Sequence, residues 1–131
     1  MKVKIDTKEK FTVITPEELN VSANLSEELR QICDDRLDAV PKSVVLNLQL
    51  VEDIDEDAAS TITSVQQKFY EQNASFVVCG MNKEIEQKFD DLELLDYLNF
   101  TPTESEAWDI IQMEEIEREL LDSDDIEFET D

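Results

Sequence analysis

The apolar run of residues 44–51 limits most strongly what this chain can fold into. Aliphatic side chains fill all but two of its positions, and valine is frequent among them. A run this short and this rich in β-branched residues favours a strand over a helix, and its nearly continuous apolar character indicates a central strand. Five acidic residues follow within six positions, and a helical apolar period begins at the last of them, Asp57. The chain is therefore expected to build a sheet around this strand and to carry acidic side chains to a helix N-terminus.

Segments of strand and helix character alternate on both sides of this run. Further short apolar runs predict strands at residues 3–5, 11–14, 75–79 and 99–101, the first two forming a hairpin. Apolar residues at helical spacing predict helices at about residues 22–37, 57–70 and 83–92, and from 104 onward. The apolar residues of the last helix are expected to lie in the core. We therefore expect an α/β fold with a mixed, mainly parallel sheet and about four helices, in the order β-β-α-β-α-β-α-β-α.

The length of the chain fits one domain. Its 131 residues can bury a single apolar core without disulfides or a structural metal. The acidic excess is concentrated at the end, where residues 103–131 carry 13 acids and one arginine. After Leu121 no usable apolar period remains, and like charges repel one another. We expect a domain over residues 1–121 and an acidic C-terminal tail over residues 122–131.

The charge of the chain restricts its partners. A net charge of −23 disfavours direct binding to nucleic acid or to an anionic membrane surface. A protein partner would instead offer a basic face. No apolar run approaches the length of a membrane-spanning helix, and the first residues lack the features of a signal peptide. The expected location is cytoplasmic.

Several catalytic and cofactor chemistries lack their residues in this sequence. The absence of histidine excludes histidine-based zinc sites, Ser-His-Asp triads and Cys-His nucleophiles. No glycine-rich phosphate loop is present. The two cysteines, Cys33 and Cys79, lie on apolar faces and are expected to be buried free thiols. We therefore expect a chain that is not an enzyme and has no cofactor or metal.

Three known chemistries use acids placed after a strand in this way, and each needs companion residues. Asp53, Asp55 and Asp57 have the spacing that opens an EF-hand loop, but Ala58 and Ser64 stand where that loop needs glycine and glutamate. A response-regulator receiver also needs an acidic pair and a lysine that are missing here. The pattern Asp-x-Asp after a strand is similar to haloacid-dehalogenase-type phosphatases, which need glycine-rich turns that a single glycine cannot supply. A phosphohydrolase using Asp53 remains as a third alternative.

The central strand and its loop resemble the STAS family, named for sulfate transporters and anti-sigma-factor antagonists. Its members show a strand of the form hydrophobic-Asp-Leu-x-x-Val-x-Phe-hydrophobic, then Asp-Ser-Ser-Gly, then a helix. Here Leu46-Asn-Leu-Gln-Leu-Val-Glu-Asp-Ile54 matches the strand, and Asp55-Glu-Asp-Ala58 stands in place of the tetrapeptide. Residues 73–82 and 94–100 resemble later parts of the family more loosely. The resemblance covers about residues 3–116.

The resemblance implies a special position for Asp57. In antagonists of this family the second serine of the tetrapeptide accepts phosphate from a partner kinase that is also the anti-sigma factor, and phosphorylation weakens their complex. Asp57 stands at this phosphoacceptor position and carries a charge near −1, where phosphoserine carries about −1.5 to −2. Asp57 is thus expected either to mimic the phosphorylated state, fixing one binding state, or to serve only as the N-cap of its helix. Ser60 is the alternative phosphoacceptor.

The resemblance implies a non-enzymatic regulatory STAS domain, similar to a bacterial anti-sigma-factor antagonist. Its partner would be an anti-sigma factor or serine-kinase-like protein. The expected binding surface is the switch loop, residues 52–59, with the first turns of the next helix, and its candidate residues are Asp53, Asp55, Glu56, Asp57, Ala58 and Ser60. The acids would face a basic patch, or would be only a solvated loop. The alternative is a soluble STAS subunit of an ABC or anion transporter assembly, in which the same loop contacts a permease or ATPase.

Overall fold

The computed structural model describes residues 1–130, with the side chains of residues 122–130 excepted. Its strands are β1 (Val3–Thr7), β2 (Thr12–Pro16), β3 (Asn20–Val21), β4 (Val44–Asn47), β5 (Asp53–Ile54), β6 (Phe76–Cys79) and β7 (Phe100–Thr101). Its α-helices are α1 (Ala23–Asp35), α2 (Glu56–Glu71), α3 (Lys83–Asp91) and α4 (Glu104–Thr130). Short 3₁₀ helices occupy Arg36–Asp38 and Leu95–Tyr97. Among the described residues, no helix is both long enough and apolar enough to span a bilayer.

The main sheet has the predicted mixed, mainly parallel character. Its strand order is β1-β2-β4-β6-β7. The hairpin of β1 and β2 is antiparallel, and the other three pairings are parallel. The α/β fold with four α-helices is confirmed. The sequence prediction missed β3 and β5, which pair with each other in a separate parallel sheet and are too short to show an apolar period.

Strand β4 lies at the centre of the sheet and is buried on both faces. Val44 and Leu46 belong to the larger apolar cluster, together with residues of α1, α2 and α3. Val45 belongs to a second cluster, with Val77 of β6 and Ile111 of α4. Three α-helices therefore cover one face of the sheet and α4 covers the other. Burial from both sides is why the sequence of this strand is a continuous apolar run and does not alternate.

The strand ends earlier than its apolar character predicts. The sequence indicates a strand to Val51, but β4 stops at Asn47. The Asn47 side-chain oxygen accepts a hydrogen bond from the Gln49 backbone N–H at 2.9 Å, which turns the chain out of the sheet. Leu48 and Val51 stay buried after the turn, so the apolar pattern continues where the strand does not. The neighbouring Gly80 has φ +75, and a Cβ there would meet the Asn47 side-chain oxygen at 3.0 Å.

Helix α4 differs from its prediction in two ways. It begins at Glu104 as expected, but its backbone stays helical to Thr130, within the segment predicted as a tail. The division into a domain and a tail at Leu121 stays a prediction. The expectation that its apolar residues are all core is also wrong, since Ile111 is buried but Met113 and Ile116 are exposed.

Two leucines near the end of β4 test where the strand stops. Leu46→Ala should lower the free energy of unfolding by about 2–5 kcal/mol, because Leu46 is fully buried and its loss leaves a cavity. Leu50→Ala removes the same atoms from a side chain that is 46% exposed, and should cost under about 1 kcal/mol. Urea denaturation measures both. Equal costs would mean that Leu50 is packed as a strand residue and that the turn at Asn47 is wrong.

Candidate functional site

The switch loop lies at the edge of the sheet where the parallel strands end. The Leu48 backbone N–H donates to the carbonyl of Cys79, the last residue of β6, at 2.9 Å. The Asn82 side-chain amide, in the loop after β6, donates to the Glu52 carbonyl at 2.9 Å. These bonds join the loops that follow two adjacent parallel strands. In open α/β sheets this carboxyl edge is where binding sites form.

Asp53 anchors the switch loop to α3. The Lys88 ammonium lies 3.0 Å from the Asp53 carboxylate and also donates to the Ile54 carbonyl. The hydrogen bond from Lys88 is the main reason that the pKa of Asp53 is lowered from its usual value. The Asp53 charge is therefore already paired within the domain.

Asp55 joins the switch loop to the start of α1. Its carboxylate accepts a hydrogen bond from the Ala23 backbone N–H, the first residue of α1, at 3.1 Å. Its own N–H donates to the Val21 carbonyl at 2.9 Å. Although Asp55 is at the N-cap position of α2, its side chain makes no capping bond to α2. Its carboxylate satisfies a free N–H of a different helix.

The prediction that Asp57 is the N-cap of its helix is wrong. Helix α2 begins at Glu56, so Asp57 is its second residue and has helical backbone. The capping position belongs to Asp55, whose backbone is extended and whose carbonyl accepts from the Ala59 N–H at 3.0 Å. The Asp57 side chain is exposed, and among the described residues it makes no hydrogen bond or ion pair. The carboxylate of Asp57 is thus presented to solvent at the positive end of the helix.

An exposed polar stripe continues from Asp57 along α2. Ser60 and Ser64, one and two turns further along the helix, are exposed, and no hydrogen bond of the Ser60 hydroxyl occurs among the described residues. Ala58 and Ala59 face the interior and are fully buried. Positions three or four apart share one helix face, so Asp57 and Ser60 form one surface. We call Asp57, Ser60 and Ser64 the outer stripe of α2.

The structure thus divides the predicted site residues into two groups. Asp53 and Asp55 are bonded inside the domain, and Ala58 is buried. Glu56, Asp57 and Ser60 are exposed together at the start of α2. The alternate spacing of the acids does not bring their carboxylates to one point, and the described side chains contain no cluster of three or more possible metal-ligating residues.

Sequence reasoning missed the two side chains that hold the loop. Asn82 accepts from the Ile85 N–H at 2.8 Å as the N-cap of α3, while its amide holds the switch loop. An asparagine before a helical period is a recognisable capping signal, but its second contact is not readable from sequence. Lys88 reaches Asp53 across 35 residues, so no local pattern indicates that pair.

The prediction that the two cysteines are buried free thiols is confirmed. Both Cys33 and Cys79 are buried and unbonded to each other. Burial raises the pKa of Cys79 to about 12, and it raises the pKa of Cys33 still more strongly. The thiolate, which is the reactive form, is therefore scarce at neutral pH.

An open groove of about 820 Å³ lies away from the switch loop, beside the second half of α2. Its lining includes Gln66, Tyr70, Tyr97 and Asn99. The Gln66 side chain donates to the Tyr97 carbonyl at 2.6 Å and accepts from the Asn99 N–H at 2.8 Å. These hydrogen bonds hold α2 against the segment before β7. The polar atoms of Gln66 in the groove therefore have a structural role within the domain.

Comparisons with known proteins give a family from one family model and the same fold from several solved structures. The family model described as the STAS domain matches residues 3–107. Among solved structures, a putative anti-sigma factor antagonist from Thermotoga maritima has a TM-score of 0.75 at 16% identity, covering 84% of this chain and 94% of its own. The unphosphorylated anti-sigma factor antagonist SpoIIAA has a TM-score of 0.68 at 12% identity, covering 85% and 96%. A phosphorylated form of SpoIIAA, from Bacillus, is also similar, with a TM-score of 0.62.

A membrane transporter contains a similar domain. The murine anion transporter Slc26a9 has a TM-score of 0.67 at 10% identity, covering 81% of this chain but only 18% of the transporter. At these identities the structural likenesses show the fold alone. Among curated proteins, none matches the chain by sequence.

The two capping assignments can be separated by paired substitutions. Asp55→Ala should lower the free energy of unfolding by about 1 kcal/mol, because the Ala23 N–H loses its acceptor. Asp57→Ala should cost less than Asp55→Ala, since its side chain has no bonded partner in the described part of the chain and loses only its attraction to the positive end of the helix. Thermal and urea unfolding measure both. A larger loss from Asp57→Ala would restore Asp57 as the structural cap.

The Lys88 anchor predicts a change in the titration of Asp53. Lys88→Met should raise the pKa of Asp53 towards its ordinary value, because the hydrogen bond that lowers it is lost. Since the folded pKa is lowered, the pair stabilises the fold above the unfolded pKa of about 4 and stops doing so as pH falls through the folded value. NMR titration of the Asp53 carboxyl carbon measures the shift, with the exposed Lys83→Met as control. An unchanged Asp53 pKa in Lys88→Met would contradict the anchor.

Proposed function

The chain belongs to the STAS domain family, and from that premise we propose that it is a non-enzymatic regulator that binds a protein partner through the outer stripe of α2. One observation carries this proposal. Of the acids in the switch loop, Asp53 and Asp55 are bonded within the domain, whereas Asp57, like its neighbour Glu56, is exposed without a side-chain partner among the described residues. A carboxylate at a helix N-terminus that makes no bond within its own domain is available to bind a partner.

The partner class follows from the family relation. The similarity to anti-sigma-factor antagonists supports an anti-sigma factor or a serine-kinase-like protein as the partner. Such antagonists act by binding, without catalysis of their own. We therefore propose a signalling protein that controls transcription indirectly, in the cytoplasm of a bacterium.

Asp57 is proposed to hold this regulator in one binding state. SpoIIAA is known in unphosphorylated and phosphorylated forms, so a member of this fold changes the charge of its surface by modification. In the motif comparison Asp57 takes the position of the modified serine, where its charge is permanent and smaller than that of phosphoserine. The exposed hydroxyl of Ser60, on the same stripe, is the proposed replacement phosphoacceptor.

The negative charge of the chain indicates that the partner would present a basic surface. The chain has a net charge of −23, and Glu56 and Asp57 are exposed side by side at the start of α2. A basic patch on the partner would be attracted over long range, which accelerates association and makes the affinity fall as salt rises. Such a partner would bind most tightly at low ionic strength.

A transport role is the second candidate. The similar domain of Slc26a9 is part of an anion transporter, so the same fold also occurs within a transport protein. In that case the outer stripe would contact a permease or an ATPase. The identity of the bound partner separates the two functions.

Charge reversal at the outer stripe tests the proposed site. The tagged chain is used to isolate its partner from native cells, the partner is identified by mass spectrometry, and the dissociation constant is measured by calorimetry with both proteins purified. Asp57→Lys should weaken binding by about tenfold or more, because a basic patch would then face a positive charge.

The matched control is Glu9→Lys, which makes the same charge change at an exposed site. Glu9 lies in the turn before β2, at the opposite edge of the sheet from the switch loop. Equal weakening by both variants would mean that only net charge matters. Binding unaffected by Asp57→Lys would remove the outer stripe as the recognition surface.

A further inference from the structure

Helix α4 exposes a second surface, on the face opposite its contact with the sheet. Met113, Ile116 and Leu120 are 61%, 55% and 54% exposed. On the other side of the same helix, Ala107 and Ile111 are fully buried. We call Met113, Ile116 and Leu120 the apolar stripe of α4. Large aliphatic side chains aligned in this way on a solvent face mark an interaction surface more often than isolated ones do.

The apolar stripe is not needed to hold α4 on the domain. The docked face is fixed by Trp108, whose ring stacks on Phe11 at a centroid distance of 4.9 Å, and by the buried Ile111. Further along, Glu114 accepts from the Tyr70 hydroxyl at 2.7 Å, and Arg118 donates to the Ser75 hydroxyl. These contacts all lie on one side of the helix. This packing leaves the three side chains of the stripe more than half exposed.

The spacing of the stripe suits a second helix. Its three residues step by three and then four positions, which is the seam along which two helices pack side by side. The first and the last are seven positions apart, or about 10 Å along the helix. A partner helix lying along this seam would bury all three side chains at once.

Acidic side chains border the stripe. Asp109, Glu117 and Glu119 are exposed around it, and the one basic residue of this part of the helix, Arg118, is directed to Ser75. A second copy of the chain packed on this seam would bring acids against acids. A basic helix would instead place its positive side chains beside these carboxylates.

We propose that the apolar stripe of α4 docks a basic amphipathic helix of a protein partner. The site is on the opposite face of the sheet from α1, α2 and α3, so it is separate from the outer stripe of α2. The inference does not rest on the function of the switch loop. It makes the domain a two-sided binding module, with a polar surface on one side and an apolar, acid-bordered seam on the other.

A designed peptide tests the docking surface. The probe is a fluorescein-labelled helix of about three heptads, with leucine at the a and d positions and lysine or glutamine elsewhere. A scrambled peptide of identical composition has the same charge but no apolar face. Fluorescence anisotropy at about 0.15 M salt, where long-range attraction is screened, measures the affinity of the chain for each.

The chain should bind the amphipathic peptide at least about tenfold more tightly than the scrambled one. Ile116→Gln/Leu120→Gln should abolish this preference, and Met113→Gln/Leu120→Gln should repeat the result with a different pair. The matched control, Leu19→Gln/Val40→Gln, removes apolar residues that are 61% and 92% exposed elsewhere and should keep the preference.

Three results would overturn the proposal. The first is equal binding of the two peptides, which would leave only charge attraction. The second is a preference for the amphipathic peptide that survives both stripe variants. The third is sedimentation showing a dimer of the unmodified chain that Ile116→Gln/Leu120→Gln dissociates, since a second copy would then occupy the stripe.

Discussion

Burial of β4 from both faces is the constraint on which the rest of the structure depends. Val44 and Leu46 face three helices, and Val45 faces the fourth, so the strand needs covering layers on both sides. Parallel pairing with β2 and β6 sends all three strands in one direction. Their following loops must therefore gather at one edge, and this is where the switch loop lies. The position of the proposed binding surface is therefore a consequence of how the core is covered.

The acidic residues of the switch loop fall into two groups, those bonded within the domain and those exposed to solvent. The chain leaves β4 at Asn47 and continues into β5. In β5, Asp53 pairs with Lys88, and directly after it Asp55 accepts a hydrogen bond from the first residue of α1. Only after these attachments does α2 begin, and the next two acids, Glu56 and Asp57, are presented to solvent. A cluster that looks uniform in sequence is thus two structural acids followed by a free surface. This division is why the proposed recognition is placed at the start of α2, where Glu56 and Asp57 are exposed, and not at Asp53 or Asp55.

Much of the fold was predictable because it depends on local apolar patterns. The order of strands and helices, the hairpin and the four α-helices follow from those patterns, and the motif around residues 46–58 was enough to indicate the family. The N-cap of α2 was misplaced because Asp55 and Asp57 are both good capping residues, and local sequence cannot choose between them. The choice is made by the pairing of β5 with β3, which brings together segments more than 30 residues apart. The end of β4 was misplaced because Leu48 and Val51 remain buried beyond the turn.

The central claim is that the outer stripe of α2 is read by a partner, while Asp53 and Asp55 only hold the loop in place. Hydrogen exchange of the chain alone and with its purified native partner tests it most directly. The account predicts that amides of the first turns of α2, around Asp57 and Ser60, gain protection in the complex, while those of β5 and of α3 around Lys88 do not change. Protection confined to other surfaces, with the start of α2 exchanging as it does in the free chain, would contradict it.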